Sequence, residues 1–384
     1  MSTLIAAREL NPERGFLPSQ DPLRRLSPAF DDWENLACSL PKLFASDHLR
    51  SAIEDLPPFP LAEVHTDRER ERAMTLLSYL GHAYVWGASK PAEMLPQKLA
   101  VPWHAVALSL GRPPVLSYSS YALHNFFRFD MDREIQCGNI GLIQNFLGGI
   151  DEEWFILIHV EIEQRAASAL ASLHPSLDAA DAKSAERLEE RLAMIQGSLA
   201  LMHASLKRMP EWCDPYIYYH RVRPYIHGWK NHPDLPHGLL YEGVADYEGQ
   251  PQQFRGETGA QSAIVPALDA ALGVAHKEDM LRIYLTEMRT YMPPAHRAFI
   301  ESLEARDSMR PFVRQSGRSS LTQLYNACVE GLEQFRSLHL EYAAAYIFHQ
   351  AQTDHKNPHA VGTGGTPFME YLKKHRDETA EHRL

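Results

Sequence analysis

The stretch "SAERLEERLAMIQGSLALMHASLKRM", residues 184–209, decides the fold class. Within it Leu188, Leu192, Ile195, Leu199, Met202 and Leu206 alternate steps of four and three, with charges on the other faces. That spacing lays the apolar side chains along one stripe of a helix. The stripe is too brief for an extended coiled coil, so it predicts one helix of a bundle.

Outward from this segment, helical patterns cover 152–172, about 261–274, 277–291, 294–305 and 320–350. Strand signals are weak, with little sustained alternation of β-branched residues and few hairpin dipeptides. Toward the N-terminus the texture changes. Pro12, Pro18, Pro22, Pro28 and "LPPFP" (56–60) predict irregular, wrapping chain, interrupted by a helix around "DRERERAMTLLSYLGHAYVWG" (67–87). The expected fold is all-α. A small, mainly helical N-terminal domain with Pro-rich segments (1–147) caps a large helical domain (148–384).

The chain has 384 residues, 45% hydrophobic and 23% charged, enough apolar material for a core and an enclosed pocket. A net charge of −11 and a pI near 6.0 argue against nucleic acid, which needs clustered Lys and Arg. The short run Lys373, Lys374, His375, Arg376 reads as a solvated helix end. Cys38, Cys137, Cys213 and Cys328 form no C-x-x-C pair and suggest neither a zinc knuckle nor a disulfide framework. "MSTLIAAREL" does not read as a signal peptide, and the longest apolar run, "WFILIHV", is too short to cross a bilayer. A cytoplasmic protein with no membrane partner is expected.

Two histidines stand where leucines would be ordinary. Leu332, Phe335, His339, Tyr342 and Tyr346 share one helix face. His159 lies on the stripe Phe155–His159–Ile162–Ala166 of a run that is apolar almost all round. Each could be a core histidine whose nitrogens are satisfied by neighbours. Two long helices with one inward imidazole each also suit a haem pocket, where a neutral histidine binds iron. Arg336, one turn before His339, is placed for a haem propionate or a carboxylate. Ala343, Ala344 and Ala345 would let a flat macrocycle approach, or simply pack helices closely.

In "DPYIYYHRVRPYIHGWK" (214–230), Arg221 and Arg223 stand among tyrosines. Such an arginine can clamp a carboxylate, or snorkel over surface aromatics. His227, His232 and His237 follow a proline-broken spacing that matches no usual zinc pattern and read as a loop. "GTGGTPFMEYLKKH" (362–375) permits close backbone approach but lacks the Gly-Lys-Ser/Thr of a phosphate loop, and a flexible linker is the alternative.

In order and spacing, "LAVPW" (99–103), "GWKNHPDLPHGLLYEGV" (228–244), "AQSAIVPALDAALG" (260–273), "MRTYMPPAHRAFI" (288–300), "RSLHL" (336–340) and "GTGGT" (362–366) resemble the indoleamine 2,3-dioxygenases. The resemblance runs from about residue 16 to about 375. It implies an all-helical protein with haem b between helices of the large domain. His339 would be the proximal iron ligand, with Arg336 and Asp269 paired beside the haem. Arg223 matches the arginine that binds the carboxylate of tryptophan, and Tyr218 and Tyr219 fall over the indole. Tyr118, Tyr121 and Phe155 match walls of the distal pocket, and Thr258 and Gly259 its roofing loop. Thr363 matches the residue that helps hold the amino group.

His159 is a departure, because some relatives have serine there, whereas the separate tryptophan 2,3-dioxygenases use a distal histidine. An imidazole there can accept from the indole N–H or donate to bound oxygen. The implied reaction is oxidative cleavage of the indole 2,3-bond of L-tryptophan by O2 to N-formylkynurenine, opening the kynurenine pathway, with an unidentified reductant keeping the iron ferrous. The tyrosines make the pocket polar and keep open another indole in secondary metabolism. A non-catalytic haem oxygen sensor is the third possibility.

Overall fold

A computed structural model describes residues 10–277, 280–353 and 368–384. Helices dominate it, as the periodicity predicts. The longer ones are α1 (Asp31–Cys38), α2 (Asp67–Trp86), α3 (Gln97–Ser109), α4 (Ile150–Asp181) and α5 (Ala185–Lys207). They are followed by α6 (Ile264–Leu272), α7 (Met280–Arg289), α8 (Pro294–Glu304), α9 (Ser319–Ala343) and α10 (Phe368–Ala380). Strands are short: β1 (Met94–Leu95) pairs in parallel with β4 (Leu240–Tyr241), and β2 (Phe126–Arg128) antiparallel with β3 (Ile140–Leu142).

Local chemistry sets the helix ends. Thr66 and Glu69 form a reciprocal capping box at the start of α2, satisfying two amides that no helical carbonyl reaches. At the start of α4, Glu152 accepts from the amides of Phe146, Leu147 and Gly148 at 2.6, 2.8 and 3.2 Å. This carboxylate fixes the angle at which the Pro-rich half of the chain enters the longest helix. Gly273, at φ +75°, ends α6 in the left-handed conformation that favours glycine.

The stripe of α5 is buried throughout, between 0% and 4% exposed, and packs on both α4 and α9. It therefore holds side by side the two helices that carry His159 and His339. α6 packs on α4 and α8, and α10 lies along α9.

Two apolar clusters result. One gathers residues from the N-terminal half together with Ile226, Trp229, Leu235, Leu239, Tyr241 and Val244. The other joins α4, α5, α6, α8 and α9. Phe155 packs against both, so it stands at their seam. The basic run read as a solvated helix end lies within α10, and it is only partly solvated: His375 is half-buried, its ring stacked on His276 at 4.1 Å. α9 stays regular to Ala343 and then loosens into a π-helical turn, Ala344–Phe348.

Candidate functional site

His339 answers the question its helix face raised. Its ring is exposed, yet burial by surrounding protein lowers its pKa to about 4, and the charge of His159 acts in the same direction. The exposure is therefore to an opening inside the protein, with His159 near enough to be felt. Among the described residues nothing hydrogen-bonds the His339 ring, so it is not a core histidine held by neighbours. It is a neutral imidazole with a lone pair to give.

His159 differs. Its Nδ1 lies 2.7 Å from the carbonyl oxygen of Phe155, one turn back on α4. A carbonyl only accepts, so Nδ1 carries the proton. Burial lowers the ring's pKa against that bond, which keeps it neutral with the lone pair on Nε2.

Aromatic rings lie beside the His159 ring. Phe155 lies 4.7 Å and Tyr118 6.0 Å from the His159 ring, centroid to centroid. Tyr218 stands 4.5 Å and Tyr121 6.4 Å from Phe155. Tyr218 in turn meets Tyr346, on the π-helical turn after α9, at 5.8 Å. The Tyr121 hydroxyl is buried with no partner among the described residues. In a cavity such an orphan awaits a polar group of a ligand.

The residue pattern left Arg221 and Arg223 equal, and the family resemblance singled out Arg223. In the fold Arg221 is exposed while Arg223 is 2% exposed, its guanidinium over the Tyr219 ring at 5.4 Å. Burial lowers the pKa of Arg223. Thr258 is half-buried and caps the short turn Gly259–Gln261, while Gly259 itself is exposed. The Gln261 side chain anchors that loop, accepting from the Tyr118 amide at 2.9 Å and donating to the Gly256 carbonyl at 2.9 Å. Arg336 and Asp269 are joined as expected, Nη1–Oδ1 at 3.1 Å and Nη2–Oδ2 at 2.6 Å. Burial would raise the Asp269 carboxyl, but Arg336 and His276 hold it down at about 2. Thr379 also accepts from Arg336, so this guanidinium is committed largely to protein atoms. Thr363 lies outside the described residues.

Sequence reading passed over two buried carboxyls. Glu163, one turn beyond His159, accepts from Tyr118 Oη at 2.9 Å and from Ser262 Oγ at 2.8 Å. Burial raises it to about 7 in spite of those bonds. Glu257, buried next to Thr258, is raised to about 8 by burial. The signal for Glu163 was present: a third polar residue, spaced i+4 from His159, in "HVEIE".

The donor set fits a haem. A neutral imidazole with no hydrogen bond among the described residues stands within electrostatic reach of a second one, a donor set that could hold a haem iron. A helical protein with this opening, and with a buried arginine among rings nearby, has the construction of a haem oxygenase for small aromatic molecules.

Similarity to known proteins agrees. The indoleamine 2,3-dioxygenase family model matches residues 6–382. Human indoleamine 2,3-dioxygenase 2 is 34% identical over 99% of this chain and 95% of its own length. Rat indoleamine 2,3-dioxygenase 1 is 36% identical over 94% of this chain and 92% of its own, and the Saccharomyces cerevisiae enzyme 33% over 96% and 91%. The chain belongs to the indoleamine 2,3-dioxygenase family. It is an oxidoreductase, a haem-iron dioxygenase acting on indoles. No helix among the described residues is long and apolar enough to cross a membrane.

Proposed function

We propose that the chain cleaves the indole 2,3-bond of L-tryptophan, placing both atoms of O2 in N-formylkynurenine, with haem b as cofactor and an external reductant. The observation that carries the substrate is the burial of Arg223 beside Tyr218 and Tyr219. An enclosed guanidinium flanked by aromatic rings suits the carboxylate of an amino acid, which it can bind in bidentate fashion.

Haem supplies the oxygen chemistry, and the protein supplies ligation, orientation and a dry cavity. His339 would hold the iron through its unprotonated nitrogen. Arg223 fixes the carboxylate end, and Phe155, Tyr121 and Tyr218 wall the indole. His159, protonated on Nδ1, presents Nε2 as an acceptor. Of the two roles open to it, accepting from the indole N–H is the one the Phe155 carbonyl favours. Thr258 and Gly259 roof the pocket, and Thr363 completes the amino-group contact. Arg336, held by Asp269, would lend positive charge beside a propionate without donating most of its hydrogen bonds to it. The small domain (1–147) caps the large one (148–384), with the Ile226–Val244 segment shared between them. The protein works in the cytoplasm, without nucleic-acid or membrane partners.

The test is aerobic turnover of L-tryptophan by the reduced protein, read by product mass. N-formylkynurenine is expected, and its absence while another indole is oxygenated would assign the chain to that indole instead, the reading the polar tyrosines favour. His339→Ala should fold but lose its haem, and a full Soret band per chain would remove His339 as ligand. His159→Ala should keep the haem and turn over roughly ten- to a hundredfold more slowly. An unchanged rate would leave His159 a packing residue.

A further inference from the structure

A second cluster of ligand-type side chains lies apart from the histidine pair. His276 is in the segment after α6, and His375 and Glu378 are in α10. A ligand atom from each falls within 4.8 Å of the others. His375 and Glu378 are spaced i, i+3 and so share a helix face. His276 comes from elsewhere in the fold, so the set is assembled only when α10 docks.

The orientation of each group matters. Asp269 Oδ2 meets His276 Nε2 at 3.1 Å, which turns Nδ1 toward Glu378 Oε2, 2.7 Å away. Asp269 on Nε2 holds the ring as carboxylates hold metal-binding histidines, and a metal ion at Nδ1 would replace the present contact with Glu378. The His375 Nε2 atom is buried and has no partner among the described residues. The Glu378 carboxylate also accepts from the Lys277 backbone, and Lys374 Nζ stands 3.5 Å from Glu378 Oε1. That ammonium opposes a cation, as does the charge of Arg336 on His375, and it is half-buried on the same helix. Glu378 borders a groove of about 340 Å³ of mixed charge, lined by Glu370, Asp377 and Glu381 together with Lys277, Lys373 and Lys374.

We propose that His276, His375 and Glu378 bind a divalent transition-metal ion of the zinc type, separate from the haem iron. Two imidazoles and one carboxylate suit Zn²⁺ and leave a fourth position for water, whereas Mg²⁺ and Ca²⁺ prefer all-oxygen sets. Closing the donors onto a metal with bonds of about 2.0–2.2 Å asks for one of the two imidazoles, now stacked at 4.1 Å, to rotate so that both lone pairs meet the ion. The ion would tie α10 to the end of α6. Through Asp269 and Arg336 it would also stiffen the pair one turn from His339. The site does not rest on the substrate or the reaction.

The experiment uses the haem-loaded full chain, freed of adventitious metal with EDTA, titrated with Zn²⁺ by calorimetry and assayed for bound zinc by mass spectrometry. One equivalent is expected, with a rise in melting temperature on binding. His375→Gln and Glu378→Gln should each weaken binding at least about a hundredfold and abolish that rise, while His232→Ala leaves both as in the parent. Circular dichroism confirms that each variant folds, and either conservative variant suffices. Absence of stoichiometric binding to the parent, or equal affinity in His375→Gln and Glu378→Gln, overturns the proposal and leaves these residues as a structural network. Loss of zinc in His232→Ala alone would place the metal elsewhere and overturn it equally.

Discussion

Arg221 and Arg223 differ by two positions and by almost everything physical. Arg221 reaches solvent, where a substrate carboxylate gains little from one more hydrated cation. Arg223 is buried, and a charge-assisted hydrogen bond there is worth about 1.5–3 kcal/mol. Arg223→Ala should therefore raise the KM for L-tryptophan roughly ten- to a hundredfold, and Arg221→Ala should change it less than about twofold. Steady-state kinetics on the two variants checks this, and equal values would dissociate Arg223 from the substrate. Glu163 makes a different kind of prediction. Its folded-state pKa, about 7, lies above its ordinary 4.5. The folded chain thus keeps a proton that the unfolded chain releases, a contribution to stability present below about 4.5 and lost as pH rises through about 7. Between pH 5 and pH 8 the parent should lose on the order of 1–3 kcal/mol relative to Glu163→Gln, in urea denaturation at both pH values. Other titrating groups are common to both chains and cancel in that difference. A difference that stays constant with pH would show that Glu163 is not the buried acid described.

At the scale of elements, the site depends on a crossing of two backbones. A Cβ on Gly256 would stand 2.2 Å from the Gly228 amide nitrogen and 2.3 Å from the Ile226 carbonyl oxygen. Nearby, the Trp229 and Lys230 amides both donate to the Phe254 carbonyl, at 3.0 and 2.9 Å. The crossing joins the segment after Arg223 to the loop of Thr258. Gly256→Ala should force these backbones apart at a cost of about 2–3 kcal/mol or more, seen as a lower melting temperature. Gly259→Ala meets nothing within 4 Å and should stay within about 0.5 kcal/mol of the parent. The sequence shows all of these glycines alike. Only the crossing distinguishes Gly256, because close approach is a property of two segments and not of either alone.

Across the whole molecule, α5 is the spacer between the two histidine-bearing helices, and its stripe was readable residue by residue. The helical class was legible for the same reason: a 3.6-residue period writes the buried face of each helix into local sequence. His339 and His159 were also legible, since a polar residue on an otherwise apolar face conflicts with its own helix, and that conflict is visible without a fold. What the sequence determined by itself was therefore the helices, their inward faces and the two misplaced imidazoles. The tertiary structure decided which residues meet: that His339 has no hydrogen-bond partner among the described residues and feels the charge of His159, that Arg223 and not Arg221 is enclosed, that Glu163 is shut in with Tyr118 and Ser262, and that His276 joins His375 from a distant segment. Burial and long-range pairing depend on how faces dock, and docking is set by the packing of many side chains at once, which no local pattern records.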